Sequence, residues 1–208
     1  MKFVLFVEGH TEKKAIPGFL KRWLDPKLNR RVGIQVVRFD GCRELIKDSP
    51  VKASMYLKKQ DVLAVIALLD LYGPDICAVP GKGADERCDL AKKQIEKDVG
   101  CEKFYQFFAV HEIEAWLLSD PGIFPHEIRS ALPPKVQHPE EVNFDQPPAK
   151  LLDAVYKKQT GRTYKKVAYG RDLFDRLDPE KAYDKCPHLR QLLDEMLRIA
   201  KESASPTS

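Results

Sequence analysis

The chain has 208 residues, 43% of them hydrophobic and 32% charged, which is typical of one globular domain, alone or with a sizeable appendage. Its five cysteines are scattered and never spaced as C-x-x-C, which argues against a zinc ribbon and against a disulfide framework. The net charge of +4 neither demands nor excludes a nucleic-acid partner. Because no segment approaches the roughly 20 apolar residues of a membrane span, we expect a cytoplasmic protein without membrane contact.

Four apolar, β-forming runs follow one another along the chain. They lie at residues 3–7, 34–41, 62–70 and 103–110. Residues at helical spacing separate them, for example Ala84, Cys88, Ala91, Ile95 and Val99. Because parallel neighbouring strands need crossover helices, residues 1–121 are predicted to form an α/β domain with a mostly parallel sheet flanked by helices.

Prolines interrupt this pattern in two places. Pro17 conflicts with a helix that begins at Thr11, so that helix is expected to begin late or to kink. Dense prolines over residues 122–148 predict a long connection with little regular structure. Residues 149–201 are predicted to form a helical extension packed on the same domain, and residues 202–208 a disordered tail.

Acidic residues follow three of the four predicted strands. They are Glu8 and Glu12 after the first strand, Asp70 at the end of the third, and Glu112 and Glu114 after the fourth. Since ligands bind at the carboxyl edge of an open parallel sheet, these acids are expected to converge on one crevice.

Converging carboxylates are costly without a cation, because two unit charges about 4 Å apart repel by roughly 4 kcal/mol at an effective dielectric near 20. Oxygen ligands suit Mg²⁺ or Mn²⁺, which activate water and polarise phosphoryl oxygens. Acids at strand ends also cap helices, and the helix dipole alone would favour Glu12 in a first turn. The joint pattern favours a metal site in which Glu8, Glu12, Asp70, Glu112 and Glu114 are candidate ligands.

Basic residues are concentrated between residues 157 and 176. They are Lys157, Lys158, Arg162, Lys165, Lys166, Arg171 and Arg176, opposed only by Asp172 and Asp175. Such a segment is either a solvated face or a surface for a polyanion such as DNA.

Several short motifs together resemble a known family. "FVLFVEGHTE" is similar to the opening motif of TOPRIM domains, and "ALLDLYG" resembles their second acidic motif. The ordered set "VEGHTE", "LLDLYGP", "HEIEAWLLSDP", "YKKVAYG" and "CPHL" resembles an uncharacterised family of TOPRIM-like proteins, from about Lys2 to Leu193. This resemblance implies a TOPRIM-like, Rossmann-like fold. It also implies a nearby ABC-type or OLD-type ATPase partner and an anti-phage context in bacteria or archaea.

The resemblance also implies residue roles. Glu8 becomes a metal ligand or general acid/base, Glu12 a second-metal candidate, and Asp70 a metal ligand. The chain departs from the D-x-D of TOPRIM domains, because Tyr72 follows where a second aspartate is usual, and Asp75, Glu112 or Glu114 would have to replace it. The predicted phosphate-facing base or transition-state cation is Lys166, with Lys150 and Lys165 behind it.

The leading hypothesis is therefore a Mg²⁺- or Mn²⁺-dependent TOPRIM-type nuclease that acts on DNA, with Glu8, Asp70 and Lys166 as catalytic residues. Lys150, Lys157, Lys158, Lys165 and Arg171 are the predicted nucleic-acid contacts. One alternative is a non-catalytic TOPRIM-like adaptor that binds nucleic acid, a nucleotide or a partner ATPase. Another is a phosphohydrolase of small nucleotides.

Overall fold

The computed structural model describes residues 1–72, 82–142 and 146–204. Three parts of the predictions from the sequence lie outside the described residues: the alternative ligand Asp75, residues 143–145 of the connection, and residues 205–208 of the predicted tail.

A parallel sheet of four strands lies at the centre of the fold. The strands are β1 (Lys2–Val7), β2 (Gly33–Arg38), β3 (Val62–Asp70) and β4 (Phe104–Ala109), in the spatial order β2-β1-β3-β4. The register pairs Val7 with Leu68 and Asp70 with Ala109, so the strands end together at one edge. The α/β fold predicted from the sequence, a parallel sheet flanked by helices, is confirmed.

Helices cover both faces of the sheet. They are α1 (His10–Leu24), α2 (Cys42–Leu57), α3 (Ala84–Val99), α4 (Glu114–Leu118), α5 (His126–Ala131), α6 (Pro148–Thr160), α7 (Lys166–Arg176), α8 (Pro179–Lys185) and α9 (Pro187–Ala204). Helices α2 and α3 close one hydrophobic core, and α1 with the helices after β4 closes the other. Within the described ranges, no helix is long and apolar enough to cross a bilayer.

The structure corrects three predictions from the proline pattern and the tail. Helix α1 begins at His10 and continues past Pro17 to Leu24, so the expected late start is wrong. The connection over residues 122–148 is more regular than expected, because it contains α5 and, after it, the 3-10 turns Pro134–Gln137 and Pro139–Glu141. Prolines stand in the first turn of both, where a missing N–H costs nothing. Residues 202–204 belong to α9 and are not a disordered tail.

Helix α7 is held against α1 by aromatic and close backbone contacts. The Phe174 ring lies edge-on to Phe19, 5.9 Å between centroids, and to Trp116, 6.3 Å between centroids. A Cβ added at Gly170 would lie only 2.8 Å from Thr11 Cγ2, so the two helices approach as closely as a glycine allows. This packing fixes the start of α7 beside the carboxyl edge of the sheet.

We expect Gly170→Ala to destabilise the protein and Gly18→Ala to stabilise it, although both replace a glycine inside a helix. Alanine should gain about 0.5–1 kcal/mol of helix propensity at either position. A Cβ at residue 18 meets nothing within 4 Å, whereas at residue 170 overpacking against Thr11 should cost about 1–3 kcal/mol. Urea unfolding would measure both changes. Adding Thr11→Ser should restore most of the loss in Gly170→Ala, and no restoration would contradict the proposed contact.

Candidate active site

The acids after β1, β3 and β4 lie together at the carboxyl edge of the sheet. The backbone N–H of Asp70 donates to Glu8 Oε1 at 3.0 Å, and the N–H of Ile113 donates to Asp70 Oδ1 at 3.2 Å. Ile113 lies between Glu112 and Glu114, so the same chain segment carries two further carboxylates to this place. The predicted convergence of these acids is what the geometry shows.

Gly9 allows the fifth acid, Glu12, to fold back on the strand end. Glu12 lies in the first turn of α1 and is only 7% exposed. A Cβ at residue 9 would overlap the Glu12 carboxylate. The glycine after Glu8 therefore leaves room for the Glu12 carboxylate in this position, which gives a reason for Gly9 between the acids of the motif "VEGHTE".

Lys166, at the start of α7, supplies a cation to this acidic cluster. Its Nζ lies 3.3 Å from Glu112 Oε1 and 3.1 Å from Glu114 Oε2. The other oxygen of Glu112 accepts a hydrogen bond of 3.0 Å from the N–H of Ala149, in the first turn of α6. A carboxylate at this position also complements the α6 dipole. Glu112 thus joins helices α6 and α7 to the chain segment after β4.

Burial changes the protonation of the acids. It is the main cause that raises the pKa of Glu114 to about 7, with Lys166 opposing the shift and Glu112 adding to it. Burial also raises the pKa of Asp70 well above its usual range. The pKa of Glu8 is raised by burial first, against the hydrogen bond from the Asp70 N–H, and by the charge of Glu12. These carboxyls resist ionisation unless positive charge is supplied.

The ammonium of Lys166 is the positive charge that the described residues place among these acids. Although burial alone would lower it, the Glu114, Asp70 and Glu112 carboxylates raise the pKa of Lys166. Lys166 is therefore protonated at neutral pH. One ammonium opposite Glu8, Glu12, Asp70, Glu112 and Glu114 leaves an excess of acidic groups.

The cluster fits a divalent cation in its donors but is not arranged as a finished metal site. All the candidate ligands are carboxylate oxygens, as Mg²⁺ and Mn²⁺ prefer. Glu114 is fully buried, and neither of its oxygens makes a hydrogen bond of good geometry. Among the described residues, however, no three His, Cys, Asp or Glu side chains are spaced to hold an ion as they lie. The structure instead shows Lys166 contacting Glu112 and Glu114.

Two side chains near the acids were not predicted from the sequence. Cys42 begins α2, and its backbone N–H helps to hold the charge of Glu8. Tyr164 precedes α7, and burial followed by the charge of Glu114 raises the pKa of its phenol. Tyr164 begins the quoted motif "YKKVAYG", which could have drawn attention to it. No sequence motif indicates Cys42. It lies near Glu8 because β2, which precedes α2, is the neighbour of β1 in the sheet.

Only some of the other residues singled out by the sequence motifs and charge pattern adjoin this centre. The predicted nucleic-acid contacts are all exposed: Lys150, Lys157, Lys158, Lys165 and Arg171. Lys150 and Lys165 are chain neighbours of Ala149 and Lys166, whereas Lys157 lies about 11 Å further along α6. His111 is buried, and burial is the first cause that lowers its pKa to about 4. It lines a separate cleft with Glu140 and His188.

An α/β fold with buried acids and a half-buried lysine at the carboxyl edge of its parallel sheet defines the class of this protein. The chain belongs to the family described as Domain of unknown function (DUF4276), whose model matches residues 7–197. This range includes both Glu8 and Lys166. No curated protein matched the chain.

Two similar solved structures are C-terminal regions of OLD proteins. That of Xanthomonas campestris pv. campestris, phased with iodine, is 19% identical, with 98% of each chain covered and a TM-score of 0.49. That of Burkholderia pseudomallei is 18% identical, with 96% of this chain and 98% of that chain covered, and a TM-score of 0.49.

We expect Lys166→Met to destabilise the protein by about 1–3 kcal/mol, because it leaves buried carboxylates without their counter-charge. The value is below that of a fully buried ion pair because the Lys166 side chain is 37% exposed, so water screens part of the attraction. Unfolding in urea at pH 8 with EDTA would measure the change. The control is Lys165→Met, an adjacent and exposed lysine that should alter stability by no more than about 0.5 kcal/mol. Equal effects of the two substitutions would contradict the ion-pair role of Lys166.

The raised pKa of Glu114 predicts a stability that falls as pH rises. Between pH 4.5, the ordinary carboxyl value, and about 7, the folded state binds a proton that the unfolded state has lost. Relative to wild type, Glu114→Gln should gain stability across this window by on the order of 3 kcal/mol. Urea unfolding at pH 5 and pH 8 in EDTA would show it. The exposed Glu102→Gln control should follow wild type, and a constant difference for Glu114→Gln would refute the assignment.

Proposed function

We propose that the protein is a Mg²⁺- or Mn²⁺-dependent phosphodiester hydrolase that acts on DNA. The observation that carries this proposal is the convergence of five carboxylates and one ammonium at the carboxyl edge of the sheet. If these acids were purely structural, each would be expected to cap the N-terminus of a separate helix. Here Glu8, Asp70 and Glu114 interact with one another and with Lys166 instead.

The contacts of the Lys166 ammonium divide the acidic cluster into two parts. Glu112 and Glu114 contact Lys166, while Glu8 and Asp70 are joined through the Asp70 N–H. Glu8, Asp70 and Glu12 are therefore the residues that would hold a divalent ion. Such an ion, when bound, would polarise a phosphoryl oxygen and lower the pKa of a water molecule.

Lys166 serves in this proposal as a cation and not as a base. Its raised pKa keeps the proton on Nζ at neutral pH, so it cannot accept one from water. A protonated lysine held by Glu112 and Glu114 can stabilise the negative charge that develops on a phosphoryl group. Of the two roles predicted from the sequence, the electrostatics support the transition-state cation.

DNA is proposed as the substrate because exposed basic residues adjoin the acids. Lys150 and Lys165 flank the two residues, Ala149 and Lys166, that contact Glu112. A polyanion approaching the acidic cluster needs this positive rim, since the carboxylates alone would repel it. A nearby ATPase that controls cleavage, in a defence context, remains part of the proposal that comes from the motif resemblance.

We expect purified protein to nick supercoiled plasmid in the presence of Mn²⁺. Glu8→Gln and Asp70→Asn should each lower the rate by on the order of 100-fold or more, because they remove charge that would bind the ion. The control is Glu102→Gln, at the opposite edge of the sheet beside the start of β4, which should retain the wild-type rate. Agarose gel electrophoresis over time would measure nicking. Absence of nicking, or nicking unaffected by both substitutions, would refute the proposal.

A second candidate function is a non-catalytic adaptor, and two observations favour it. Lys166 already lies among the acids, and Tyr72 follows Asp70 at the position of the second aspartate in TOPRIM-like motifs. Calorimetry separates the candidates: a hydrolase should bind Mn²⁺ with an affinity that depends on Glu8 and Asp70. An adaptor should show no such binding.

A further inference from the structure

A second concave site lies between the end of α6 and the middle of α7. Its cavity measures about 560 Å³ and is distinct from the acidic cluster. Tyr156 of α6 and Tyr169 of α7 line it with parallel rings, 5.7 Å between centroids and 18° between planes. Tyr164 packs against both, with centroids 5.6 Å and 6.3 Å away. One wall of the cavity is thus a rigid aromatic platform.

Charged groups of both signs surround this platform. Arg162 and Arg176 are among the residues that line the cavity, as are Glu127 and Asp172. A site for phosphate alone would not need two carboxylates, and a site for an aliphatic ligand would not need four charges. A nucleotide would use the aromatic rings, the carboxylates and the arginines together. Its base stacks on a ring, the amino groups of the base donate hydrogen bonds to carboxylate oxygens, and its phosphate attracts arginine.

The cavity adjoins the proposed active site through two shared helices. Tyr169 lies three residues after Lys166 on α7, a rise of about 4.5 Å along the helix axis. At its other end, α6 donates the Ala149 N–H to Glu112. Both helices therefore extend from the aromatic platform to the acidic cluster.

We propose that this cavity holds an unpaired nucleobase of the DNA strand whose phosphate lies in the acidic site. A base within a duplex is covered on both faces by its neighbours, so it cannot also stack on a tyrosine. The preferred substrate is then single-stranded or locally unpaired DNA. This inference rests on the proposed function for the choice of DNA, and it adds the strand state of the substrate and the residues that recognise it.

Binding of a fluorescent 12-nucleotide DNA to the full chain in EDTA tests this without any metal. Single-stranded DNA should bind more tightly than its duplex. A single abasic nucleotide, moved through the strand, should weaken binding roughly 5- to 100-fold at one position, which is the range for stacking a base on an aromatic ring. Tyr169→Ala should weaken binding of the intact strand to a similar extent. It should lose no further affinity at that abasic position.

Tyr183→Ala is the matched control. Tyr183 is half-buried like Tyr169 and stacks on a buried aromatic ring, Trp23, at 5.4 Å and 22°, but it lies on α8 outside the cavity. Both substitutions remove a stacked tyrosine, so only Tyr169→Ala should weaken DNA binding. Arg162→Gln changes an exposed residue after α6 and provides a second variant that preserves the packing, with an expected loss of several-fold.

Other outcomes would overturn the inference. These are equal affinity for single strand and duplex, abasic losses that persist unchanged in Tyr169→Ala, or a free nucleotide or RNA strand that binds better than DNA. If plasmid nicking occurs but these binding effects are absent, this inference fails and the hydrolase proposal stands. If the binding effects occur without nicking in Mn²⁺, the hydrolase proposal fails and the nucleobase site stands.

Discussion

The burial of several carboxylates around one ammonium is the interaction on which the rest of the site depends. Glu114 is fully buried, and its pKa of about 7 shows how strongly the surroundings oppose its negative charge. Lys166 offsets part of this cost and couples the ends of β3 and β4 to α7. An ion pair with one fully buried partner adds little net stability, because the desolvation of Glu114 offsets most of the attraction. The pair does tie the position of α7 to the acids: the carboxylates have a counter-charge only when α7 places Lys166 beside them.

The helical part after β4 is therefore as much a component of the site as the sheet. Helix α6 begins at a carboxylate that also contacts Lys166, and α7 packs on α1 where Gly170 meets Thr11. The acids alone would form a repulsive edge. The two helices bring the lysine that makes this edge tolerable and a basic rim that a polyanion could approach. The match of one family model across residues 7–197 includes both parts.

The same helices also explain why two adjacent sites with different chemistry can exist. Near the start of α7, burial and carboxylates create a site for positive charge. One turn later, Tyr169 stacks on Tyr156, and the lining becomes aromatic with charges of both signs. A flexible loop could not hold the two at a constant separation, whereas a helix does so because its rise per residue is fixed. A nucleic-acid strand lying along α7 would meet both.

The sequence by itself determined the parallel α/β sheet and the acids at its edge. Apolar runs that alternate with helical segments favour a parallel sheet over other fold classes. An acid at or just after the end of a strand, such as Asp70 or Glu8, then lies at the carboxyl edge of that sheet whatever the order of the strands. Local rules failed where the fold overrode them. Pro17 remains within α1, because Ile16 before it and Phe19 and Trp23 after it are all buried in the core. Only the tertiary structure decided that Lys166 contacts Glu112 and Glu114, more than 50 residues away in the chain. Contacts of this kind depend on how helices pack, and no spacing within the sequence encodes them.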